Sequence, residues 1–359
     1  MSDNWAIDAE LGEALQANEE QIAEQIAAAV GEKIKTDHRA GQRPAPRDAH
    51  PRAHGCLQAE FQVEGDVRPE LAQGVFVPGK SYPAWIRFSN GDPDSTKPDA
   101  KADVRGMAIK LLDVPGDKIL NEEREARTQD FLLMSSPAFF MDDAARYLTF
   151  SRRFASSNKL VQLMAVPVLG LKGLRIVIAA KAKIASPLEA RYWSAVPYQL
   201  GKGPRKQAVK YSARPRPFPG STAIPSHPTP TFLRETMIKQ LEAGPASFDF
   251  LVQPRTSPAM SVEHSMVEWE EKGAPFYKVA TITIPRQQFA TPERDEFGEH
   301  LSFTPWHALP AHRPLGAVNR IRRAVYQTIS QLRHDLNKQP RREPDPQDAG
   351  RIGRLDPAN

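Results

Sequence analysis

The sequence predicts an α+β chain with a β-rich core, and three observations carry that reading. Short strand-like runs alternate with turn residues from Gly55 to about Leu112, and similar runs return after a Pro-rich stretch. Strands and helices do not alternate in the manner of a parallel sheet. The longest helical patterns stand near the two ends of the chain, at residues 5–34 and 316–337. With 359 residues, of which 40% are hydrophobic, there is enough apolar material to bury a sizeable core.

Residues 5–34 read as one amphipathic helix, with Leu11, Ala14, Leu15, Ile22, Ile26 and Val30 on its apolar side. Residues 35–51 are Pro- and Arg-rich and read as an extended arm. Arms of this kind commonly wrap a neighbouring subunit, so a homo-oligomer is expected. The implied division is a helix and arm over 1–43, one domain over 44–338, and a disordered polar tail over 339–359.

Strands are expected at Leu57–Val63, Tyr82–Phe88 and Gly106–Leu112, with the turn Asn90-Gly91-Asp92-Pro93-Asp94 after the second. A fourth, Asp130–Met134, ends at Ser135-Ser136-Pro137 before Phe139-Phe140 and a helix starting near Asp142. Residues 160–180 are the most apolar stretch, but Pro167, Gly170, Lys172, Gly173 and Arg175 interrupt it, so no transmembrane span is expected. Two readings stay open for it: helices buried in a core or a dimer contact, or an apolar entrance or membrane-surface contact. Residues 214–230 form a Pro-rich connector, followed by strands at Ser247–Val252 and Tyr277–Ile284. An aromatic loop, Phe303–Pro314, leads into the last helix.

The net charge of +5 is spread thinly, and its densest run, Arg341-Arg342, lies in the tail. Nucleic-acid binding is therefore not expected, since it calls for a concentrated basic patch. The single cysteine, Cys56, excludes an intramolecular disulfide and a multi-cysteine metal site. The first residues carry neither a basic leader nor an apolar signal core, which points to a cytoplasmic protein.

Three stretches could carry chemistry. On the last helix, at about 100° per residue, Arg322, Tyr326 and Arg333 share one face. Nearby guanidinium groups favour the anionic form of a phenol. In Ile86-Arg87-Phe88-Ser89, a period of two puts Arg87 and Ser89 on the face opposite Ile86 and Phe88. Taken alone, this is an edge strand with its polar face in water. In Arg47-Asp48-Ala49-His50 an arginine precedes a histidine by three residues, and His54 stands close behind. A neutral imidazole can take up and return a proton, although a lone histidine is more often structural.

The order of these motifs resembles the haem catalase superfamily over residues 44–335. It runs Arg47 and His50, Gly55 with Phe61 and Val63, Arg87-Phe88-Ser89, Asp103-Val104-Arg105-Gly106, Asp130 with Pro137 and Phe139-Phe140, then Arg322, Tyr326 and Arg333. The resemblance implies a closed antiparallel β-barrel core with flanking helices and one haem b. It also implies roles: His50 as distal acid and base, Ser89 as its hydrogen-bond partner, Tyr326 as iron ligand and Arg322 as the stabiliser of its phenolate. Arg47, Arg87 and Arg333 would meet the propionates, and Phe139 and Tyr147 would be aromatics at the haem. The expected activity is peroxide metabolism, a peroxidase with some catalase activity. Its substrates would be hydrogen peroxide or an organic hydroperoxide and a small organic electron donor.

Three departures from the family pattern stand out. Met134 falls at the distal asparagine, removing a hydrogen-bond donor. The chain has no counterpart of the catalases' C-terminal helical region and nucleotide site. The segment after His50 differs, so His54 is an alternative distal residue, and His50 is preferred because it keeps Arg47 three residues upstream. Two other readings remain: a lipid-hydroperoxide isomerase or dehydratase resembling allene oxide synthase, and a non-catalytic haem-binding protein.

Overall fold

Strand alternation decides where the core lies. In the computed structural model, which describes residues 5–38, 45, 47–218, 222–339, 341, 343 and 344, nine strands form one antiparallel sheet. They are β1 (Ala53–Val63), β2 (Ser81–Asn90), β3 (Arg105–Leu111), β4 (Gln129–Met134), β5 (Tyr192–Trp193), β6 (Tyr198–Leu200), β7 (Gln207–Pro215), β8 (Ala246–Pro254) and β9 (Tyr277–Ile284). The order β1-β2-β3-β4-β5-β7-β8-β9 returns to β1 and closes a barrel of eight strands. The short β6 continues along the same edge of β7 that β5 occupies.

Inward positions fill the barrel. Phe61, Phe76, Phe131, Phe248, Phe250 and Tyr211 are fully buried, and Phe131 lies 4.9 Å from Phe250 and 5.0 Å from Tyr211, centroid to centroid. Aromatic groups so packed leave the barrel as a solid core. On β2 the inward residues are Ala84, Ile86 and Phe88, so Arg87 and Ser89 face outward. The edge-strand reading is thereby corrected. β2 lies between β1 and β3, and Arg87 and Ser89 are buried beneath other elements instead of facing water.

Helices lie against the outer face. α1 (Glu19–His38), α2 (Ala144–Ala155) and α7 (Ala317–Asn337) share one apolar cluster, including Ile26, Ile34, Ala144, Ile321 and Val325. α3 (Lys159–Leu163) and α4 (Gly170–Ala180) follow α2. α5 (Phe232–Ala243) and α6 (Pro292–His300) lie beside β1.

The long N-terminal helix is a correction. Asp8 caps a short turn, Ala9–Leu11, which Gly12 ends at φ +89°, and Asn18 turns the chain again at φ +55° before α1 begins. Glu13 and Glu19 are drawn onto the buried Arg320, which a continuous helix from residue 5 is not needed to achieve. Residues 160–180 are not buried in the core, because Leu160 is 73% exposed and Leu171 77% exposed in the single chain, which leaves the dimer-contact and membrane-surface readings standing. Of the expected arm over 35–51, residues 35–38 instead continue α1, and residues 39–44 and 46 lie outside the described residues, as do 340, 342 and 345–359 of the expected tail. The described Glu343 pairs with Lys110, 2.8 Å apart.

Candidate active site

His50 sits where the chain enters β1, with φ +59°. A non-glycine residue in that left-handed region costs about 1 kcal/mol or more, so the surroundings must hold it. Arg87 does so, donating from Nη1 to the His50 carbonyl at 3.0 Å and from Nη2 to the Pro51 carbonyl at 3.4 Å. The ring is fixed from two sides. His50 Nδ1 lies 3.0 Å from Ser89 Oγ, and a Cβ at Gly106 would stand only 2.5 Å from that nitrogen. Gly106 is opposite Ser89 in the β2–β3 register, so the missing side chain is what lets the imidazole lie against the strand.

Burial pushes the His50 pKa down to about 4, and the charges of Arg87, Arg322 and Arg47 push the same way. The imidazole is therefore neutral across the physiological range. His54 stands in a different environment. It is buried on β1, with Nε2 2.8 Å from Asn90 Oδ1 and Nδ1 3.8 Å from Asp99, so both ring nitrogens are engaged in a closed network.

At one end of the site three guanidinium groups converge. Arg87 and Arg333 each reach Glu299 at 3.3 Å, and Arg47 Nε lies 3.8 Å from the same carboxylate. Arg47 also donates to the carbonyls of Gly298, Glu299 and Leu301, and Arg333 to that of Ala45. Burial alone would raise the Glu299 pKa, but Arg47, Arg87 and Arg333 outweigh it and hold the group ionised. One carboxylate against three cations leaves two positive charges without a counterion in this cluster. The Nε atoms of Arg47 and Arg87 are buried with no hydrogen-bond partner among the described residues. A dianion carrying two carboxylates matches this deficit in charge and in donors.

α7 ties that end to the other side. Seven residues before Arg333, or about 10 Å along the helix, Tyr326 accepts a hydrogen bond at its hydroxyl from Arg322 Nη2 at 3.0 Å. Asn319 Oδ1 accepts from the other terminal nitrogen at 3.2 Å. Burial works against the Arg322 charge, but Tyr326 and Tyr198 outweigh it and raise its pKa. Tyr147, on α2, packs edge-on to Phe139 at 6.0 Å, and burial raises its hydroxyl pKa while Tyr326 and Arg322 also act on it. Met134 lies opposite Gly106, which lies opposite Ser89, so Met134 and Ser89 share one face of the sheet.

All nine residues singled out in the sequence thus surround one region outside the barrel: Arg47 and His50 from the N-terminal side, Arg87 and Ser89 from β2, Phe139 and Tyr147, and Arg322, Tyr326 and Arg333 from α7. Glu299 and Asn319 were missed, and Gly106 was read only as part of a motif, without a role. Asn319 had a visible signal, being three residues before Arg322 on the same helix face. Gly106 had a weaker one, a glycine inside a strand, and Glu299 had none. The residues fit a haem: a pair of unmatched positive charges for its propionates, a guanidinium-held phenol oxygen, and aromatic walls.

Comparison with known proteins agrees. No family model matches the chain. Over 306 residues it is 28% identical to a catalase-related peroxidase of Mycolicibacterium paratuberculosis, covering 83% of this chain and 92% of that one. A bacterial catalase structure superposes with a TM-score of 0.63 at 17% identity, covering 96% of this chain and 67% of the other. A fungal catalase gives 0.62 at 16%, with 85% and 61% covered, and catalase A from Saccharomyces cerevisiae gives 0.58 at 14%, with 84% and 65% covered. The chain therefore spans only about three fifths to two thirds of these catalases' length. The chain therefore has the fold of the catalases, and its motif order and sequence relative resemble the catalase superfamily.

Proposed function

We propose that the chain is a haem-dependent enzyme of peroxide metabolism, acting mainly as a peroxidase with some catalase activity on hydrogen peroxide or an organic hydroperoxide. The observation that carries this reading is the pairing of a neutral, serine-held His50 with an arginine-held Tyr326, joined by three arginines around a single carboxylate. Arg47, Arg87 and Arg333 would hold the propionates, Tyr326 would ligate the iron, and Phe139 and Tyr147 would wall the macrocycle. Residues 44–338 act as one haem domain in this reading, with a cytoplasmic homo-oligomer as its setting.

When bound, the haem would supply the iron at which a peroxide O–O bond is cleaved heterolytically. The protein's own part is proton management. With Nδ1–H donating to Ser89 Oγ, His50 Nε2 carries a free lone pair and takes the proton from one peroxide oxygen. The same nitrogen then delivers it to the departing oxygen, which leaves as water or an alcohol. The low pKa of His50 keeps it ready for the first step, and Gly106 and Ser89 keep the ring from turning between the two. Arg322, donating to the Tyr326 hydroxyl oxygen, stabilises its phenolate.

Met134 favours donor oxidation over oxygen release, because a thioether donates no hydrogen bond to a second hydrogen peroxide. The exposed apolar stretch at residues 160–180 keeps a lipid-hydroperoxide isomerase or dehydratase as the second reading. The test is His50→Ala in the haem-loaded protein. Peroxide consumption should fall by 10²-fold or more, and unchanged consumption would remove His50 from its role.

A further inference from the structure

α3, α4 and the turn between them form a face that the candidate active site does not use. Leu160, Leu163, Met164, Val166, Leu171 and Ile178 are all 45% exposed or more. Apolar side chains gathered like this on a water-facing surface mark a contact with something else. The run Lys159–Ala180 is long and apolar enough to cross a membrane, but it is not one continuous helix, since Pro167 lies in its connecting turn and Gly170 has φ +63°.

Charge identifies the occupant. From Ala144 to Leu188 eight residues are Lys or Arg and none is Asp or Glu. Lys159, Lys172 and Arg175 are exposed, and none of them pairs with a carboxylate among the described residues. A two-fold contact with a second copy would set this same cationic face against itself. An anionic lipid surface supplies both what the leucines need and what the lysines need.

We propose that this face docks the protein onto the surface of membranes containing anionic lipids, with the apolar side chains entering the interfacial layer and the cations meeting phosphate headgroups. The face is firmly joined to the site wall. Arg146 and Arg153 of α2 donate to the carbonyls of Val168 and Met164, at 2.7 and 2.9 Å. α2 also carries Tyr147, whose hydroxyl is influenced by Tyr326 and Arg322 of the site. Docking would place the site wall next to the layer in which lipid hydroperoxides arise, yet the proposal itself does not depend on turnover.

The test is co-sedimentation of the full chain with vesicles of phosphatidylcholine alone and of phosphatidylcholine containing phosphatidylglycerol. Binding is expected only to the second, weakening with salt, and weakening about fivefold for each cation removed by Lys172→Gln or Arg175→Gln. Leu160→Glu and Leu171→Glu change side chains that are mostly in water, so they should leave the circular dichroism unchanged while abolishing sedimentation. Equal binding to both vesicles, or binding that survives Leu171→Glu, would overturn the proposal. So would absence of vesicle binding together with an oligomer that Leu171→Glu converts to monomers, which would make the face a subunit contact.

Discussion

Gly106→Ala isolates the placement of His50 from everything else in the site. The added methyl would sit 2.5 Å from His50 Nδ1, 2.7 Å from Cε1 and 2.8 Å from Ser89 Oγ. Ordinary contact for such an atom begins at 3.4 Å. Because Gly106 is paired on both sides, with Ser89 and Met134, it is the ring that must retreat, by about 1 Å, a displacement that can cost roughly 10² in rate. Gly106 does not have a positive φ, so alanine brings no backbone strain. Nor does it touch Arg47, Arg333 or Tyr326. The variant should therefore bind haem as the wild type does and lose about 10²-fold in kcat/KM for peroxide, read by stopped-flow peroxide consumption. Wild-type kcat/KM in a folded, haem-loaded Gly106→Ala protein would refute the claim that this contact positions the base.

Acid should destabilise the haem-free chain through its buried histidines. An imidazole in the unfolded chain titrates near 6.5, while His50 in the folded chain titrates at about 4. Between these values the unfolded state takes a proton that the native state refuses, so stability is lost as pH falls from 6.5 toward 4. From pH 7 to 5 the His50 share is on the order of 2 kcal/mol, and the buried His312 titrates in the same direction. Urea midpoints at the two pH values should differ less in His50→Gln, and an identical acid sensitivity would contradict the assignment. Met134→Asn, which restores a polar donor on the face shared with Ser89, should raise oxygen release from hydrogen peroxide about tenfold relative to donor oxidation. An oxygen electrode run beside a dye-oxidation assay reads that ratio.

Much of the site was legible because its residues follow local periodicities. A period of two set Arg87 and Ser89 apart from Ile86 and Phe88, and about 100° per residue put Arg322, Tyr326 and Arg333 on one helix face. What the sequence could not show was where these faces point. The outward face of β2 reads as solvent-facing on its own, and only His50 and Pro51 before β1 and Glu299 of α6, which meet Arg87, make it a buried polar site. Glu299 is legible only once three distant arginines have been brought to it. The strand β7 was missed although Val209, Tyr211 and Ala213 alternate with Lys210, Ser212 and Arg214, and the connector read over 214–230 overlaps only its last two residues. The N-terminal helix was drawn too long because its apolar spacing continues past Gly12, where φ +89° ends the first turn.

Haem titration of the purified chain, followed by its absorption spectrum, tests the central claim most directly. The account predicts one haem per chain with a ferric spectrum of phenolate type, greatly weakened retention in Tyr326→Phe, and peroxide consumption that requires the bound haem. A chain that takes up no haem, or a Tyr326→Phe variant with an unchanged ferric spectrum, would contradict it.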